Sequence, residues 1–110
     1  MSKTYYMAAV DVEGRRCVVV GDGGVADEKV AGLEVCGALV DHVPAARYKR
    51  RLLKGALLVI AATPDRKLNE RVFRDAERRG MLCNVSQAWA MLRTSVAFAG
   101  RCVFQAVSSA

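Results

Sequence analysis

The sequence predicts a three-layer α/β domain in which helices flank a mostly parallel β-sheet. Two runs, at 17–20 and 56–63, are almost continuously apolar, which is typical of strands buried on both faces of a parallel sheet. Segments with helical spacing alternate with these runs, and such alternation requires crossover connections, which are right-handed. The chain has 110 residues, 53% hydrophobic and 25% charged, so it is long enough to form one domain around one core.

The first half of the chain is predicted to contain three strands and one helix. The helix is placed by the apolar residues Val25, Val30, Leu33 and Cys36, which lie about one helical turn apart, and Gly37 ends it. The predicted elements are, in order, a strand at 5–12, a strand at 17–20, a helix at 25–36 and a strand at 38–43.

The second half of the chain is predicted to continue the alternation. Its helix carries an apolar stripe on one face, charged residues on the other, and Gly80 at its end. The predicted elements are a basic helix or loop at 48–54, the strand within 56–63, a helix at 66–79, a strand at 81–85, a helical or irregular stretch at 88–94 with Trp89 as a core or interface anchor, and a last strand at 101–108.

The turn after the 17–20 strand carries a phosphate-binding pattern. Gly21-Asp22-Gly23-Gly24-Val25-Ala26 matches G-x-G-x-x-A between a strand and a helix. Gly21 permits the tight turn, Gly23 lets a pyrophosphate approach the backbone, and small Ala26 lets the helix pack on the strand. Because the first N–H groups of a helix bind anions, this turn predicts a dinucleotide site.

Several polar residues near strand ends are further candidates. Asp41 lies about twenty positions beyond Gly21, where dinucleotide folds place the acid that bonds the ribose, but two more strand residues follow it and leave its direction open. His42 is the single histidine and is expected to be a strand residue rather than a catalytic base. Asn84 lies near the end of its strand, where its amide could reach a cofactor.

The formal net charge of +6 is concentrated in two basic segments, at 47–54 and along the 66–79 helix. A basic field favours a polyanion, which could be a nucleotide, a polycarboxylate or nucleic acid. The alternative is an ordinary solvated basic face. Nucleic acid is the least favoured partner, because the sequence contains no recognisable nucleic-acid recognition module.

The four cysteines, Cys17, Cys36, Cys83 and Cys102, show no C-x-x-C spacing. Buried free thiols are therefore expected, and no metal site or disulfide framework is predicted. The first ten residues contain one lysine and no adequate apolar core, so they do not resemble a signal peptide. Because no apolar stretch reaches the length of a membrane span, we expect a cytoplasmic protein.

Three segments together resemble the NAD-binding dehydrogenase domain of siroheme synthases, the precorrin-2 dehydrogenase/sirohydrochlorin ferrochelatase family. They are VVVGDGGVADEKVAGLEVCGA at 18–38, LLKGALLVIAATPDRKLNERVFRDAERRGMLCNV at 52–85 and VFQAVSSA at 103–110. The combination of the glycine turn with Lys29, the strand followed by Asn69 and Arg71, and the CNV triplet is more specific than any one motif. The resemblance implies a single Rossmann-like NAD(P)-binding domain over 1–110.

What the resemblance implies chemically is an oxidoreductase that binds NAD and oxidises the tetrapyrrole precorrin-2 to sirohydrochlorin in siroheme (porphyrin) biosynthesis. Matched to the family, Gly21, Gly23, Gly24 and Val25 would hold the pyrophosphate. Pro44 and Ala45 would face the adenosine ribose, and Ala62, Thr63 and Asn84 would line the nicotinamide side. The choice between NAD and NADP stays open, because Arg47 could receive a 2′-phosphate that Asp41 would repel.

The chain departs from the family in three places. Gln87 stands where the family has an aspartate implicated in catalysis, and an amide cannot replace a carboxylate base or metal ligand. A helix and strand are absent after Pro44, so the sheet is expected to be one strand smaller, and no counterpart of the family's long helical extension is expected. These departures favour an alternative, a non-catalytic nucleotide- or tetrapyrrole-binding relative that acts as a sensor or subunit. We also expect a homodimer, formed through the exposed edge at the shortened side of the sheet or through the last strand at 102–108.

Overall fold

The computed structural model describes residues 9–85, 95–98 and 102–105 of the chain, with the side chains of residues 9–85. Its strands are β1 (Arg16–Val20), β2 (Leu39–Val43), β3 (Leu58–Ala61), β4 (Leu82–Val85), β5 (Ser95–Phe98) and β6 (Cys102–Gln105). Its helices are α1 (Gly24–Val35) and α2 (Arg66–Arg78), and two short 3₁₀ turns lie at Ala45–Arg47 and Arg50–Leu53.

The first four strands form one parallel sheet in the order β2-β1-β3-β4. Val18 of β1 is paired with Asp41 of β2 on one side and with Val59 of β3 on the other. The strand order therefore reverses between β1 and β3, which in open α/β sheets is where ligands bind. β5 and β6 form a separate antiparallel pair. The predicted Rossmann-like α/β class is confirmed, and the connection from β2 to β3 contains only the two 3₁₀ turns.

The sheet has an apolar core on each face, because successive strand residues point to opposite sides. One core contains Val18, Val20 and Val59 together with Leu53 and with Val72 of α2. The other contains Cys17, Val19, Leu58 and Ile60 together with Ala26 of α1. The strands of this sheet therefore lie between the two helical layers and hold the turn between β1 and α1 at the sheet's carboxyl edge.

The structure corrects the predicted first strand at 5–12. Residues 9–12 are not in a strand, and residues 5–8 lie outside the described part. The physical reason is a turn, in which Arg15 N–H donates to the carbonyl of Val12 (2.9 Å) while Gly14 N–H donates to that of Gly37 (2.8 Å). Val12 still contributes a buried side chain to the α1-side core.

Helix α1 differs from the predicted apolar stripe. Ala26 is its one buried residue, while Val25 and the residue that caps its carboxyl end, Cys36, are exposed. Val30 and Leu33, the two middle residues of the predicted stripe, are half-buried and pack with Ala26 against the same core. Among the cysteines described with side chains, Cys17 and Cys83 are buried and free as predicted, and the expected burial of Cys36 is wrong.

The second half follows the prediction more closely. Helix α2 and strand β4 lie within one residue of their predicted bounds, and β6 lies inside the predicted last strand. Strand β5 was not predicted. The stretch at 88–94 with Trp89, and Gln87, lie outside the described residues. Neither α1 nor α2 has the length and apolar character that crossing a membrane requires.

Candidate functional site

The turn between β1 and α1 depends on Gly21. Its φ of +145° is rarely accessible to residues with side chains, and a Cβ at this position would overlap the backbone carbonyl of Ala62 after β3. The same added atom would lie 3.3 Å from the Cβ of Ala26. Gly21 therefore allows β1, β3 and α1 to approach one another at one point, as the predicted glycine pattern requires.

The amino end of α1 is open to a ligand. Gly23 is the N-cap in an extended conformation, and no side chain of residues 9–85 caps the helix. The first helical bond runs from Asp27 N–H to Gly23 C=O (3.0 Å), so the preceding N–H groups have no acceptor within the helix. Among the residues that the structure describes, no atom lies within 4 Å of a Cβ added to Gly23 or Gly24. This end therefore offers N–H donors and open space to an anion.

Three hydrogen bonds join the glycine turn to β2 and the residues just after it. Gly21 N–H donates to Val43 C=O (2.9 Å), and Ala45 N–H donates to the Oδ1 of Asp22 (2.8 Å). The Nε2 of His42 lies 2.6 Å from the Gly21 carbonyl, and because a carbonyl only accepts, Nε2 carries the proton. His42 is a strand residue as predicted, and it also fixes the turn.

On the β3 side of the turn, the buried side-chain amide of Asn69 holds Thr63 in place. The Oδ1 of Asn69 accepts from the hydroxyl (2.7 Å) and the N–H (3.2 Å) of Thr63, and its Nδ2 donates to the Thr63 carbonyl (2.8 Å). Asp65 caps α2 by accepting from Lys67 N–H (3.0 Å) and Leu68 N–H (3.3 Å). The first N–H groups of α2 are therefore bonded by a side chain of the protein, in contrast to those of α1.

These elements enclose a concavity of about 510 Å³ at the carboxyl ends of β1, β2 and β3. Three of the predicted site residues line it: Gly23, Ala45 and Thr63. Five lining residues were not predicted as site residues: Asp22, Ala46, Pro64, Asp65 and Leu68. The volume falls within the roughly 300–1,000 Å³ that small-molecule sites span.

The other predicted residues lie around this concavity in different ways. Gly21 and Ala62 are buried at the contact between the β1 and β3 ends, while Gly24, Val25 and Pro44 are exposed beside the turn. Asn84 is 1% exposed, and within the described part of the chain no group bonds to its Oδ1. A buried amide oxygen without a partner is costly, which makes Asn84 the most unusual polar residue near these strand ends.

Asp41 does not face the glycine turn. Its Oδ2 forms an ion pair with the Nη2 of Arg16 (2.8 Å), which begins β1 at the amino edge of the sheet. The Arg16 guanidinium also donates to the carbonyls of Leu52 and Lys54, both at 2.7 Å. Through its ion pair with Arg16, Asp41 connects β2 to the loop before β3.

The two basic segments meet on the α2 side of the sheet. Lys49, Arg50, Arg51 and Arg71 line an open concavity of about 520 Å³ together with Asp75. The buried Tyr48 hydroxyl donates to Asp75 (2.7 Å), and Arg71 lies over the Tyr48 ring, 5.4 Å from its centroid. Burial, followed by the bond to Asp75, raises the pKa of Tyr48 above its ordinary value. The hydroxyl therefore stays protonated as the donor.

Sequence reasoning missed the roles of three residues in this site. The sequence pattern treats Asp22 as a variable position between glycines, His42 as a strand residue, and Asn69 as part of a family pattern. A detectable signal existed for Asn69, because a polar residue on the apolar face of a helix needs a partner. Asp22 and His42 depend on how closely the β2 end approaches the turn, which no spacing rule supplies.

Comparison with known proteins gives two concordant results. A family model of NAD(P)-binding domains matches residues 8–92. The siroheme synthase of Nitrosococcus oceani is 34% identical over 101 residues, covering 74% of this chain and 22% of that protein. The siroheme synthase of Methylobacillus flagellatus is 37% identical over 93 residues, covering 67% of this chain and 20% of that protein.

A third relative, the siroheme synthase of Photorhabdus laumondii, is 34% identical over 100 residues, covering 74% of this chain and 21% of its own length. The chain thus spans about one fifth of the length of the curated relatives it matches. The matched region includes the glycine turn, both helices and β1 to β4. The chain belongs to the family of NAD(P)-binding domains found in siroheme synthases.

Proposed function

We propose that this chain binds NAD at the turn between β1 and α1 and acts as an oxidoreductase of the precorrin-2 dehydrogenase type. The observation that carries the proposal is the uncapped amino end of α1, which opens onto a concavity of about 510 Å³ where the strand order reverses. Both features are those of a dinucleotide site in an open α/β sheet.

The residues present fit a dinucleotide at the phosphate end. Gly23 and Gly24 present backbone with no side chain to hinder approach, and the free N–H groups of the first helical turn provide donors for a pyrophosphate. The wall at Ala45 and Ala46 is small and would accommodate the adenosine. The β2 side of the turn is held by hydrogen bonds from Gly21 to Val43 and from His42 to Gly21.

At the nicotinamide end, Asn84 is the residue that would bond the carboxamide of the cofactor. Its buried Oδ1 lacks a partner among the described residues and can accept an N–H from a carboxamide. The Thr63 hydroxyl already bonds Asn69 and Asp65, so Thr63 contributes the shape of the wall and not a free donor. Bound NAD supplies the hydride acceptor, so the chain's residues need only bind, orient and exclude water.

The test is calorimetric titration of the protein with NAD⁺ and with NADH at two salt concentrations. Gly23→Asp places a carboxylate where the phosphates would lie and should abolish micromolar binding. Gly32→Asp is the matched control, because it adds the same charge to α1 at a position that is exposed and open to space. Equal loss in both variants, or no binding by the unsubstituted protein, would contradict the proposed site.

A second candidate function is a non-catalytic relative that binds a nucleotide or tetrapyrrole as a sensor or subunit. Gln87 in place of the family's aspartate favours it, because an amide cannot take up a proton as a carboxylate base does. Mixing the protein with precorrin-2 and NAD⁺ separates the two functions. An absorbance change that proceeds at a rate proportional to protein concentration supports the dehydrogenase, and NAD binding without turnover supports the second candidate.

A further inference from the structure

The glycine turn contains an acidic side chain that the phosphate-binding pattern does not require. Asp22 follows Gly21 and lines the nucleotide concavity. Its Oδ1 accepts the N–H of Ala45, which lies two residues beyond β2. The carboxylate of Asp22 is therefore placed over the carboxyl end of β2, although it comes from the end of β1.

That position is where a dinucleotide fold recognises the adenosine ribose. The acid that bonds the ribose hydroxyls ordinarily lies on β2 itself, and Asp41 has the expected spacing. The ion pair of Asp41 with Arg16, at 2.8 Å, draws its carboxylate toward the amino edge of the sheet. Asp22 is consequently the acidic residue that lines the concavity beside the end of β2.

We propose that Asp22 bonds the adenosine ribose and makes the site select NAD over NADP. This inference rests on the proposed function, since it requires a nicotinamide dinucleotide in the same concavity. Ala45 N–H engages Oδ1, and within the described residues no protein donor bonds Oδ2, which is left to accept a ribose hydroxyl. Asp22 is exposed, so its carboxylate is accessible to the ligand.

The selection follows from charge. NADP carries a phosphate on the 2′-oxygen, and a dianionic group beside the Asp22 carboxylate is repelled where a hydroxyl would donate a hydrogen bond. Arg47 could neutralise such a phosphate, but it is not among the residues that line the concavity. The charged side chains that line the concavity in the described part of the chain, Asp22 and Asp65, are both negative.

The test compares the affinities of NAD⁺ and NADP⁺ by calorimetry in three proteins. The unsubstituted protein should prefer NAD⁺ by at least about tenfold. Asp22→Asn keeps an oxygen that can accept from Ala45 N–H and removes the charge, so it should lower the preference about tenfold, mainly by tightening NADP⁺ binding. Asp41→Asn is the matched control and should leave the preference unchanged.

The possible outcomes separate this inference from the proposed function. Failure of the unsubstituted protein to bind either nucleotide overturns both. Equal binding of the two nucleotides by the unsubstituted protein, or an unchanged preference in Asp22→Asn, overturns only the role of Asp22. A shift in Asp41→Asn instead would reassign the ribose acid to Asp41. Thermal melts of both variants establish that they are folded, and Asp22→Ser provides a second variant if Asp22→Asn is not.

Discussion

The Nε2–H group of His42 donates a hydrogen bond to the carbonyl oxygen of Gly21, and the two heavy atoms are 2.6 Å apart. This bond joins the edge strand β2 to the first residue of the glycine turn. With the Gly21–Val43 bond it fixes both polar groups of the Gly21 backbone on β2. The orientation of the turn is therefore set by β2 as well as by α1.

His42→Ala should weaken NAD binding several-fold and destabilise the protein by about 0.5–1.5 kcal/mol, the net contribution of one hydrogen bond. His42→Gln retains an N–H donor of similar reach and should recover most of the affinity. Calorimetry gives the affinities, and urea denaturation gives the free energy of unfolding. Equal effects of the two substitutions would show that the imidazole acts through packing and not through this bond.

The two glycines of the turn should respond differently to alanine. Gly21→Ala places a Cβ against the Ala62 carbonyl at a φ of +145°, so it should destabilise the protein by about 2 kcal/mol or more. In Gly23→Ala the added Cβ would contact no atom of the described residues, and the backbone at this position is extended. The substitution should therefore lower the free energy of unfolding by less than about 1 kcal/mol while weakening NAD binding. Urea denaturation and calorimetry together measure both effects. A similar loss of stability in both variants would contradict the geometry of the turn.

Removing the Tyr48 hydroxyl should leave the buried Asp75 carboxylate without that donor. Tyr48→Phe is expected to lower the free energy of unfolding by about 1–3 kcal/mol, the penalty for an unsatisfied buried polar group. Tyr48→Phe/Asp75→Asn, compared with each single variant in a double-mutant cycle, isolates the interaction between the two side chains. Independent, additive effects would show that the 2.7 Å contact contributes nothing.

Stability should fall at alkaline pH because of Cys83. Desolvation raises the pKa of this buried thiol from 9.0 to about 12. Since the folded pKa lies above the unfolded one, the thiol's contribution is complete below about pH 9 and is lost as pH rises toward 12. Urea denaturation at several pH values should show this slope, and Cys83→Ala should reduce it. An unchanged slope in Cys83→Ala would assign the loss to other groups, such as Tyr48.

The outer edge of β2 is the surface on which a homodimer would depend. In the described sheet β2 pairs only with β1, and two large apolar residues at or just before this strand are exposed, Leu39 by 62% and Val35 by 88%. If two copies associate here, Leu39→Lys should convert a dimer to a monomer, because a charge on an edge strand opposes pairing. Light scattering at micromolar concentration measures the mass. A monomeric mass for the unsubstituted protein would contradict the dimer.

The sequence was sufficient for the parts of the fold that depend on local chemistry. The apolar run at 17–20 and the glycine pattern after it predict β1, the turn and the start of α1, because each follows from sterics and periodicity within a few residues. The predicted stripe on α1 is confirmed at Val30 and Leu33, which pack against the core, and is wrong at its two ends, where Val25 and Cys36 are exposed.

The candidate site was predictable in outline but not in its connections. Of the residues that the sequence singles out, Gly23, Ala45 and Thr63 line the concavity, because parallel strands end at one edge. The bond from Ala45 to Asp22 and the pairing of Asp41 with Arg16 join residues that are far apart in the chain. The relative direction of two acidic side chains therefore required the fold.

The contrast between the two helix amino ends connects ligand concentration to folding. The Asp65 side chain accepts hydrogen bonds from the first N–H groups of α2. The first N–H groups of α1 have no such acceptor in the described chain and can bond water or an anion. Any nucleotide that binds those donors in the folded state and not in the unfolded state adds RT ln(1 + [L]/Kd) to the free energy of unfolding. If a nucleotide binds there, the melting temperature of this domain should rise as the nucleotide concentration in the solution rises.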